Sequence, residues 1–492
     1  MNTRLKEVAV NRLRACMACM LLLLIFMPAA SSAAPPVQLP TMGDPAEQYL
    51  SQSQERELGR QLMREVRLHM PVLQDPLVNT YIRDLGLRLA AHSDAPDQEF
   101  HFFVIDHPSI NAFAMPGGYI GINSGLILGA NSESELAGVI AHEIAHVTQR
   151  HLARRVGEAQ RINLRTTAVI LASLILASQD PEMASAAAMA GVAGSYQQQL
   201  NFSREHEHEA DRVGMRILAA AGFDPMGMPD FFAALMRATR YRAQPPEWLS
   251  THPLTEARIA DTQSRAHRLQ DTGDIYESQG FTLMQARLKV LAARSPDEAV
   301  NHFEQTRGDE HGVPALRYGL ALALTRQGRL DQARKLLTDL LRHDGEEIAY
   351  LLALAELEMA AGKQEAALSY YAEAASLYPH NPAPRLAQAE ALLQANQPEA
   401  ARRLLNGAQP QAGDDPHFYW LLAQAASAAD KPAHARLAMA EHYYLSGDLQ
   451  PALNQLSQVT AANQADPYQI ARAAARAEQL REEIRQRQQM MP

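Results

Sequence analysis

The sequence is poor in cysteine and has no long run of basic residues. Its 492 residues contain two cysteines, Cys16 and Cys19, both close to the N-terminus. If that terminus is removed, no disulfide can stabilise the chain, so its core or a metal must hold it together. The net charge is −10, and an acidic chain without basic clusters is a poor nucleic-acid binder. We therefore expect no nucleic-acid partner.

The N-terminus also lacks an apolar run long enough to cross a bilayer comfortably. A basic stretch precedes the apolar run "ACMACMLLLLIFM" at 15–27, and the small residues "AASSAA" follow it. This order is typical of a secretory signal peptide, whereas a spanning helix needs about 20 apolar residues. We predict an export signal at 1–33 that is cleaved near Ala33. A retained N-terminal anchor is the alternative.

The C-terminal half contains an internal repeat. Alanines recur every 34 residues, at Ala299, Ala333, Ala367, Ala401 and Ala435. Turn residues precede four of them, at Gly328, Gly362, Asn396 and Asp430. This period in helical sequence is typical of tetratricopeptide repeats, whose stacked helix pairs form a groove that binds peptide or protein. The alternative is a generic helical solenoid with an accidental period.

The segment "VIAHEIAHVTQRH" at 139–151 carries an HExxH pattern. On a helix, His142 and His146 point the same way and can bind one Zn²⁺, while Glu143 lies beside a water as general base. Ser132 and Glu135 predict a capping box at the start of this helix. At about 100° per residue, His151 is predicted to face away, as a structural or solvent histidine.

A catalytic zinc needs a third protein ligand, and "SREHEHEAD" at 203–211 offers candidates. On a helical wheel, Glu207 and Asp211 share the apolar, inward face. Glu207 is therefore predicted to bind zinc, and Asp211 to accept the free ring N–H of a ligating histidine. A buried salt bridge between these carboxylates and Arg204 or another basic residue is the alternative.

The other members of this segment are predicted to lie away from the metal. Glu205 and Glu209 fall on the opposite face of the wheel, where solvated charges are expected. His206 and His208 fall at the borders and are predicted to be surface histidines.

These motifs resemble those of the gluzincin peptidases that include the HtpX-type proteases and the CAAX prenyl endopeptidases. The resemblance spans roughly residues 50–265 and adds "NAFAMPGGYIGINSGLI" at 111–127 and "STHP" at 250–253. It implies that Glu207 is the third zinc ligand and that Asp211 is the aspartate of the family's ExxxD pattern. It also implies that His252 lies near the zinc. There His252 either acts in catalysis by stabilising the oxyanion, or occupies the water position and silences the enzyme.

Two further segments carry predictions, one before the HExxH helix and one between the two helices that carry these ligands. The first, at 111–125, predicts a Pro-Gly-Gly turn between two short strands. If the first strand edges the zinc cleft, Asn111, Ala112, Phe113 and Ala114 bind an extended substrate through its backbone; an ordinary hairpin is the alternative. The second has two apolar pieces within 168–194, each too short to cross a membrane. We predict a soluble helical hairpin there, with peripheral membrane contact as a possibility.

The predicted fold is mostly α: a zincin-like α+β metallopeptidase domain with a small β-sheet, followed by an α-solenoid of tetratricopeptide repeats. The predicted boundaries are signal peptide 1–33, linker 34–47, peptidase domain 48–268, connecting helix or linker 269–285, and repeat domain 286–485.

This domain order resembles that of periplasmic proteases that serve outer-membrane β-barrel assembly. The resemblance implies one Zn²⁺ per subunit, a periplasmic location and metal-assisted peptide hydrolysis. It also implies outer-membrane β-barrel proteins as substrates and contact with the barrel-assembly machinery through the repeats. The alternative is a non-hydrolytic scaffold whose structural zinc takes His252 as its fourth ligand.

Overall fold

The computed structural model describes residues 45–158, 204–239, 246–269, 278–306, 313–409, 413–461 and 466–490. The predicted signal peptide at 1–33, nearly all of the predicted linker and the predicted hairpin at 168–194 lie outside these residues. Within them, no helix is both long and apolar enough to cross a membrane.

The N-terminal part combines helices with one small sheet. Its α-helices are α1 (Gln52–His69), α2 (Pro76–Ala90), α3 (Ser124–Gly129), α4 (Glu133–Thr148), α5 (His151–Glu158), α6 (Arg204–Ala220), α7 (Gly227–Thr239), α8 (Trp248–Thr251) and α9 (Glu256–Leu269). Its strands are β1 (His101–Ile105), β2 (Ala112–Met115) and β3 (Tyr119–Asn123), and single 3-10 turns cover Pro45–Gln48 and Pro116–Gly118.

The sheet has the order β1-β3-β2, so β2 lies at one edge. Strand β3 pairs in parallel with β1 and antiparallel with β2. The Pro-Gly-Gly turn joins β2 to β3 through positive φ angles of 74° at Gly117 and 82° at Gly118. A β-carbon on Gly118 would lie 2.1 Å from the carbonyl oxygen of Glu99, so this turn requires glycine.

Helix α4 is buried through most of its length and packs against α6 and α7. The hydroxyl of Ser132 caps it by accepting a hydrogen bond from the amide of Glu135 at 3.1 Å. The predicted reciprocal bond is wrong, because the carboxylate of Glu135 instead accepts from the backbone amide of Asn131 at 2.7 Å. At the crossing with α6, Gly214 has no side chain, and a β-carbon there would lie 3.0 Å from Cα of His142.

The C-terminal part is a succession of paired helices. These are α10 (Gln279–Ala292), α11 (Pro296–Gln305), α12 (Val313–Gln327), α13 (Leu330–His343), α14 (Ile348–Ala360), α15 (Gln364–Leu377), α16 (Ala383–Gln394), α17 (Pro398–Ala408), α18 (Pro416–Ala428), α19 (Pro432–Leu445), α20 (Leu449–Thr460) and α21 (Pro467–Met490). The predicted turn residues Gly328, Gly362, Asn396 and Asp430 all have positive φ, the usual conformation just after a helix end. The first four repeated alanines are buried, and the fifth, Ala435, is half-buried. The predicted helical solenoid is confirmed.

The two parts share one continuous hydrophobic core that runs from α2 into α16. Helix α10 begins within the segment predicted to connect the domains, and the side chain of Gln285 on it donates to the carbonyl oxygens of Ile127 and Ala130, each at 2.8 Å. At the far end of the repeats, Arg64 of α1 bonds the carboxylate of Glu483 and the hydroxyl of Tyr444. The repeats therefore contact the peptidase part at both ends.

Candidate metal centre

Four buried side chains converge between α4, α6 and the residue that follows α8. His142 and His146 come from α4, Glu207 from α6, and His252 from the end of α8, and each is at most 3% exposed. One potential ligand atom from each lies within 4.8 Å of all the others. The i, i+4 spacing on α4 and the apolar wheel face of α6 bring three of the four together.

The separations between these atoms fit a tetrahedral metal. Nε2 of His142 lies 3.0 Å from Nε2 of His146, 3.4 Å from Nδ1 of His252 and 3.6 Å from Oε2 of Glu207. Oε1 of Glu207 lies 3.5 Å from Nε2 of His146 and 3.2 Å from Nδ1 of His252. Bonds of about 2.0–2.1 Å around a tetrahedral zinc separate its ligand atoms by about 3.3–3.4 Å. Imidazole and carboxylate are donors that such an ion accepts.

Two further charged residues, Asp211 and Arg258, lie beside this cluster and contact its members. Nδ1 of His142 lies 3.1 Å from Oδ1 of Asp211. The guanidinium of Arg258 donates two hydrogen bonds of 2.7 Å to Asp211 and lies 2.8 Å from Oε2 of Glu207. Asp211 is thus in contact with a histidine and with an arginine, so both alternatives weighed from the sequence are present together, with Arg258 as the basic partner.

The charges of this cluster shift the pKa values of its members. Burial opposes ionisation of Asp211, but Arg258 and His142 outweigh it and lower the pKa of the aspartate. Burial likewise opposes the His142 cation, but Asp211 and Glu207 raise the pKa of this imidazole to about 9. Burial also opposes ionisation of Glu207, but the neighbouring histidines outweigh it and hold the pKa of this carboxyl group well below its usual value, so both carboxylates remain charged and attract a cation.

Glu143 lies next to the cluster and is fully buried. Its Oε1 accepts from the indole Nε1 of Trp248 at 3.4 Å and lies 3.4 Å from Nε2 of His252. Its Oε2 has no hydrogen-bond partner among the described residues. Burial raises the pKa of this carboxyl group, which suits a general base.

His252 is held in the cluster by its own loop. The indole of Trp248 stacks on the imidazole with ring centroids 4.8 Å apart. The carboxylate of Glu247 accepts hydrogen bonds from Ser109 at 2.7 Å and from the side chain of Asn111 at 3.0 Å. The His252 loop is therefore tied to the residues that precede β2.

The predicted orientation of His151 is wrong. Helix α4 ends at Thr148, and Arg150 has a φ of 50°, so the chain turns before α5 begins at His151. The helical-wheel prediction assumed that α4 continued through this break, and it therefore placed His151 on the face opposite His142. Its imidazole is fully buried instead, and its Nδ1 lies 2.8 Å from Nδ1 of His146. Burial lowers the pKa of His151 to about 4, although Glu209 acts in the opposite direction.

The prediction for His206 on α6 is also wrong, and Glu209 is less exposed to solvent than predicted. His206 is 3% exposed rather than a surface residue, and it stacks on His151 with centroids 4.5 Å apart. Glu209 is half-buried, and its Oε2 accepts from Arg154 at 2.8 Å and contacts Nε2 of His151 at 3.0 Å. Glu205 is exposed as predicted. Less of the α6 surface is exposed to solvent than the helical wheel predicted, because residues of α5 contact His206 and Glu209.

The predicted substrate strand lies beside the active helix. Ala112, Phe113 and Ala114 belong to β2, which contacts α4. Asn111 precedes the strand, and its carbonyl oxygen accepts from the amide of Asn123. Because backbone groups alternate along an antiparallel strand, Ala112 and Ala114 direct theirs toward the outer edge.

Three residues near the centre were missed by sequence reasoning. Arg258, Trp248 and Glu247 all come from the segment around "EWLSTHPLTEAR", in which only His252 was singled out. An arginine shortly after His252 was the available signal, since two inward carboxylates on α6 required a cation besides the metal.

Comparison with known proteins agrees with this geometry. The model of Peptidase family M48 matches residues 76–266, and a tetratricopeptide repeat model matches 290–357 and 358–425. The beta-barrel assembly-enhancing protease of Escherichia coli (strain K12) is 36% identical over 446 residues, which are 90% of this chain and 91% of the relative. The chain belongs to peptidase family M48.

A second relative is similar over the same extent. The beta-barrel assembly-enhancing protease of Yersinia pestis is 35% identical over 447 residues, covering 90% of this chain and 91% of the relative. A thermophilic TPR protein from Thermus thermophilus is 20% identical, and the match covers 40% of this chain and 98% of that one with a TM-score of 0.24. The predicted resemblance and the predicted metallopeptidase class are confirmed by the family and its relatives.

Proposed function

We propose that this M48 peptidase is a zinc-dependent endopeptidase of the periplasm that acts on outer-membrane β-barrel proteins. The observation that carries the enzymatic part is the buried cluster of four potential ligands with Glu143 beside it. His142, His146 and Glu207 would hold the zinc, and Asp211 would orient His142. Zinc in such a site polarises a peptide carbonyl and lowers the pKa of a water molecule.

The protein's own residues supply the proton transfer. The free Oε2 of Glu143 takes a proton from the attacking water, and the raised pKa of this carboxyl group allows it to hand that proton to the leaving amine. Arg258 keeps Glu207 and Asp211 charged and in place during the reaction.

His252 gives the centre a closed resting state in this proposal. Its Nδ1 faces the other three ligands, and its Nε2 faces the carboxylate of Glu143. The imidazole therefore stands where a water and a substrate carbonyl must bind, which supports the blocking role over oxyanion stabilisation. Hydrolysis requires the loop of His252 to withdraw, and the Glu247–Asn111 contact must break or move with it.

The edge strand β2 suits an extended substrate. Ala114 is partly exposed and directs its backbone groups outward, and its small side chain leaves room for an added strand, whereas Ala112 is fully buried. Such pairing uses backbone rather than side chains, so it favours unpaired strands of an unfolded protein over a particular sequence. Unassembled β-barrel proteins expose strands of this kind.

The cellular role rests on the relatives and on the repeats. The relatives are named for β-barrel assembly, and the predicted export signal agrees with a periplasmic site. A cleft of about 840 Å³ lies between β1 and the repeats, and its lining includes Phe102, Arg385 and Trp420. We place contacts with barrel proteins and with the barrel-assembly machinery in this repeat region.

Metal content and casein cleavage of the purified full chain test the enzymatic proposal. Wild type and Glu143→Gln are expected to hold one zinc per chain, and only Glu143→Gln loses cleavage. His252→Ala is expected to cleave faster than wild type, because its site is open. Glu205→Gln, an exposed change on α6, serves as the matched control. Cleavage that survives Glu143→Gln would contradict the mechanism.

The second candidate is a scaffold with a structural zinc. It is favoured by one observation, the presence of a fourth potential protein ligand in His252, because structural zinc sites have four protein ligands. Under this reading wild type, Glu143→Gln and His252→Ala are equally inert towards casein, while complexes with barrel-assembly proteins persist.

A further inference from the structure

His151 lies directly behind one of the proposed zinc ligands. The break at Arg150 starts α5 at an angle to α4 and turns the His151 side chain inward. Its ring meets that of His146 edge to face, with centroids 4.9 Å apart, and the two Nδ1 atoms are 2.8 Å apart. At this distance one nitrogen donates a hydrogen bond and the other accepts it.

The proposed zinc site fixes which nitrogen donates. Nε2 of His146 faces Nε2 of His142 and Oε1 of Glu207, and a nitrogen that binds a metal carries no proton. The proton of neutral His146 is therefore on Nδ1, and it is donated to Nδ1 of His151. That nitrogen must then be unprotonated, which leaves the proton of His151 on Nε2.

The carboxylate of Glu209 completes the chain. Nε2 of His151 lies 3.0 Å from Oε2 of Glu209, so its N–H donates to this carboxylate. Arg154 holds the same oxygen at 2.8 Å, and His206 stacks on the His151 ring. One arrangement of protons thus satisfies all of these contacts from Glu209 to the metal site.

We propose that His151 and Glu209 are positioning residues that hold His146 in its zinc-binding tautomer. This inference rests on the zinc site proposed above. Each histidine ligand of α4 would then be backed by a carboxylate from α6: His142 directly by Asp211, and His146 through His151 by Glu209. Partners of this kind fix the orientation of a ligating imidazole and raise its basicity.

A packing role for His151 makes a different prediction. If only the shape of the imidazole matters, any side chain of similar size would preserve the site. If the hydrogen bond matters, the residue at 151 must present an acceptor at the position of Nδ1. The Oδ1 of asparagine provides that acceptor, whereas leucine fills the space without one.

Zinc affinity, measured by competition with a chromogenic chelator, separates the two roles. We expect His151→Leu to bind zinc about 10–100-fold more weakly than wild type, the usual effect of losing such a partner. We expect His151→Asn to recover most of that affinity. The visible spectrum of the Co²⁺-loaded protein should change in His151→Leu and return toward that of wild type in His151→Asn. Thermal unfolding of the zinc-free proteins shows whether both variants fold.

Changes on α6 test the outer half of the chain. Glu209→Gln keeps an oxygen that accepts from His151 and should bind zinc nearly as well as wild type, while Glu209→Leu should bind it more weakly. Glu205→Gln, on the same helix but exposed, should not differ from wild type.

Three results would overturn the inference: unchanged affinity in His151→Leu, an equal loss of affinity in His151→Asn and His151→Leu, or no difference between Glu209→Leu and Glu205→Gln. Wild type that takes up no zinc would contradict the proposed function instead.

Discussion

Replacing Arg258 by methionine removes a buried cation from between two buried carboxylates. The guanidinium is 2% exposed, bonds Asp211 twice at 2.7 Å and lies 2.8 Å from Glu207. Methionine keeps much of the side-chain volume, including the packing against Phe232, but provides no donor. The variant therefore isolates the electrostatic part of the contact.

The expected loss of stability is large. Removing one partner of a buried ion pair costs about 3–5 kcal/mol, because the remaining charge is uncompensated. At about 2.1 cal/mol/K per residue, unfolding a chain of 492 residues has an entropy of about 1 kcal/mol/K, so this loss lowers Tm by about 3–5 °C. Bound zinc would supply positive charge to Glu207, so the loss should be larger in the zinc-free protein than in the loaded one.

Thermal unfolding followed by circular dichroism measures the loss of Tm in the zinc-loaded protein and, with a chelator, in the zinc-free protein. Arg265→Met on the same helix is the matched control, because its pair with Asp261 is about one-third exposed on each side. Exposed pairs contribute at most about 1 kcal/mol. The reasoning is refuted if Arg258→Met and Arg265→Met unfold at the same temperature.

Two further changes test the packing and the pH response. Gly214→Ala should lower Tm and weaken zinc binding, since its β-carbon would lie 3.0 Å from Cα of His142. Gly407→Ala, on a helix with open space at that point, should raise Tm instead. Burial disfavours the His417 cation, but Glu390 at 2.8 Å outweighs it and raises the pKa of His417 above 6.5. This pair therefore stabilises the fold below pH 6.5 and loses its effect as pH rises through the raised pKa, so His417→Gln should lower Tm more at pH 6 than at pH 9.

The periodic features of the chain were the ones that sequence could predict. The 34-residue spacing located the turns at Gly328 and Gly362, because left-handed residues must recur wherever paired helices reverse. Helical regularity also explains two predictions at the metal site. It placed His142 and His146 on one face of α4, and it placed Glu207 on the inward face of α6. A regular helix projects its side chains in known directions, so these predictions required only that the helix continue.

The failures occur where a helix stops or where distant segments meet. His151 was misplaced because the turn at Arg150 has no signal such as glycine or proline. Glu209 and His206 were assigned to solvent because the wheel of one helix does not show that another, α5, covers them. Arg258 lies 47 positions from Asp211, and only the folded structure brings the two together.

X-ray absorption at the zinc K-edge of the purified protein tests the central claim most directly. The proposed resting site predicts three imidazoles and one carboxylate oxygen at about 2.0–2.1 Å from the zinc. His252→Ala should reduce the count to two imidazoles and add a solvent oxygen. A wild-type spectrum with only two imidazoles, or one that His252→Ala leaves unchanged, would contradict the closed site formed by His142, His146, Glu207 and His252.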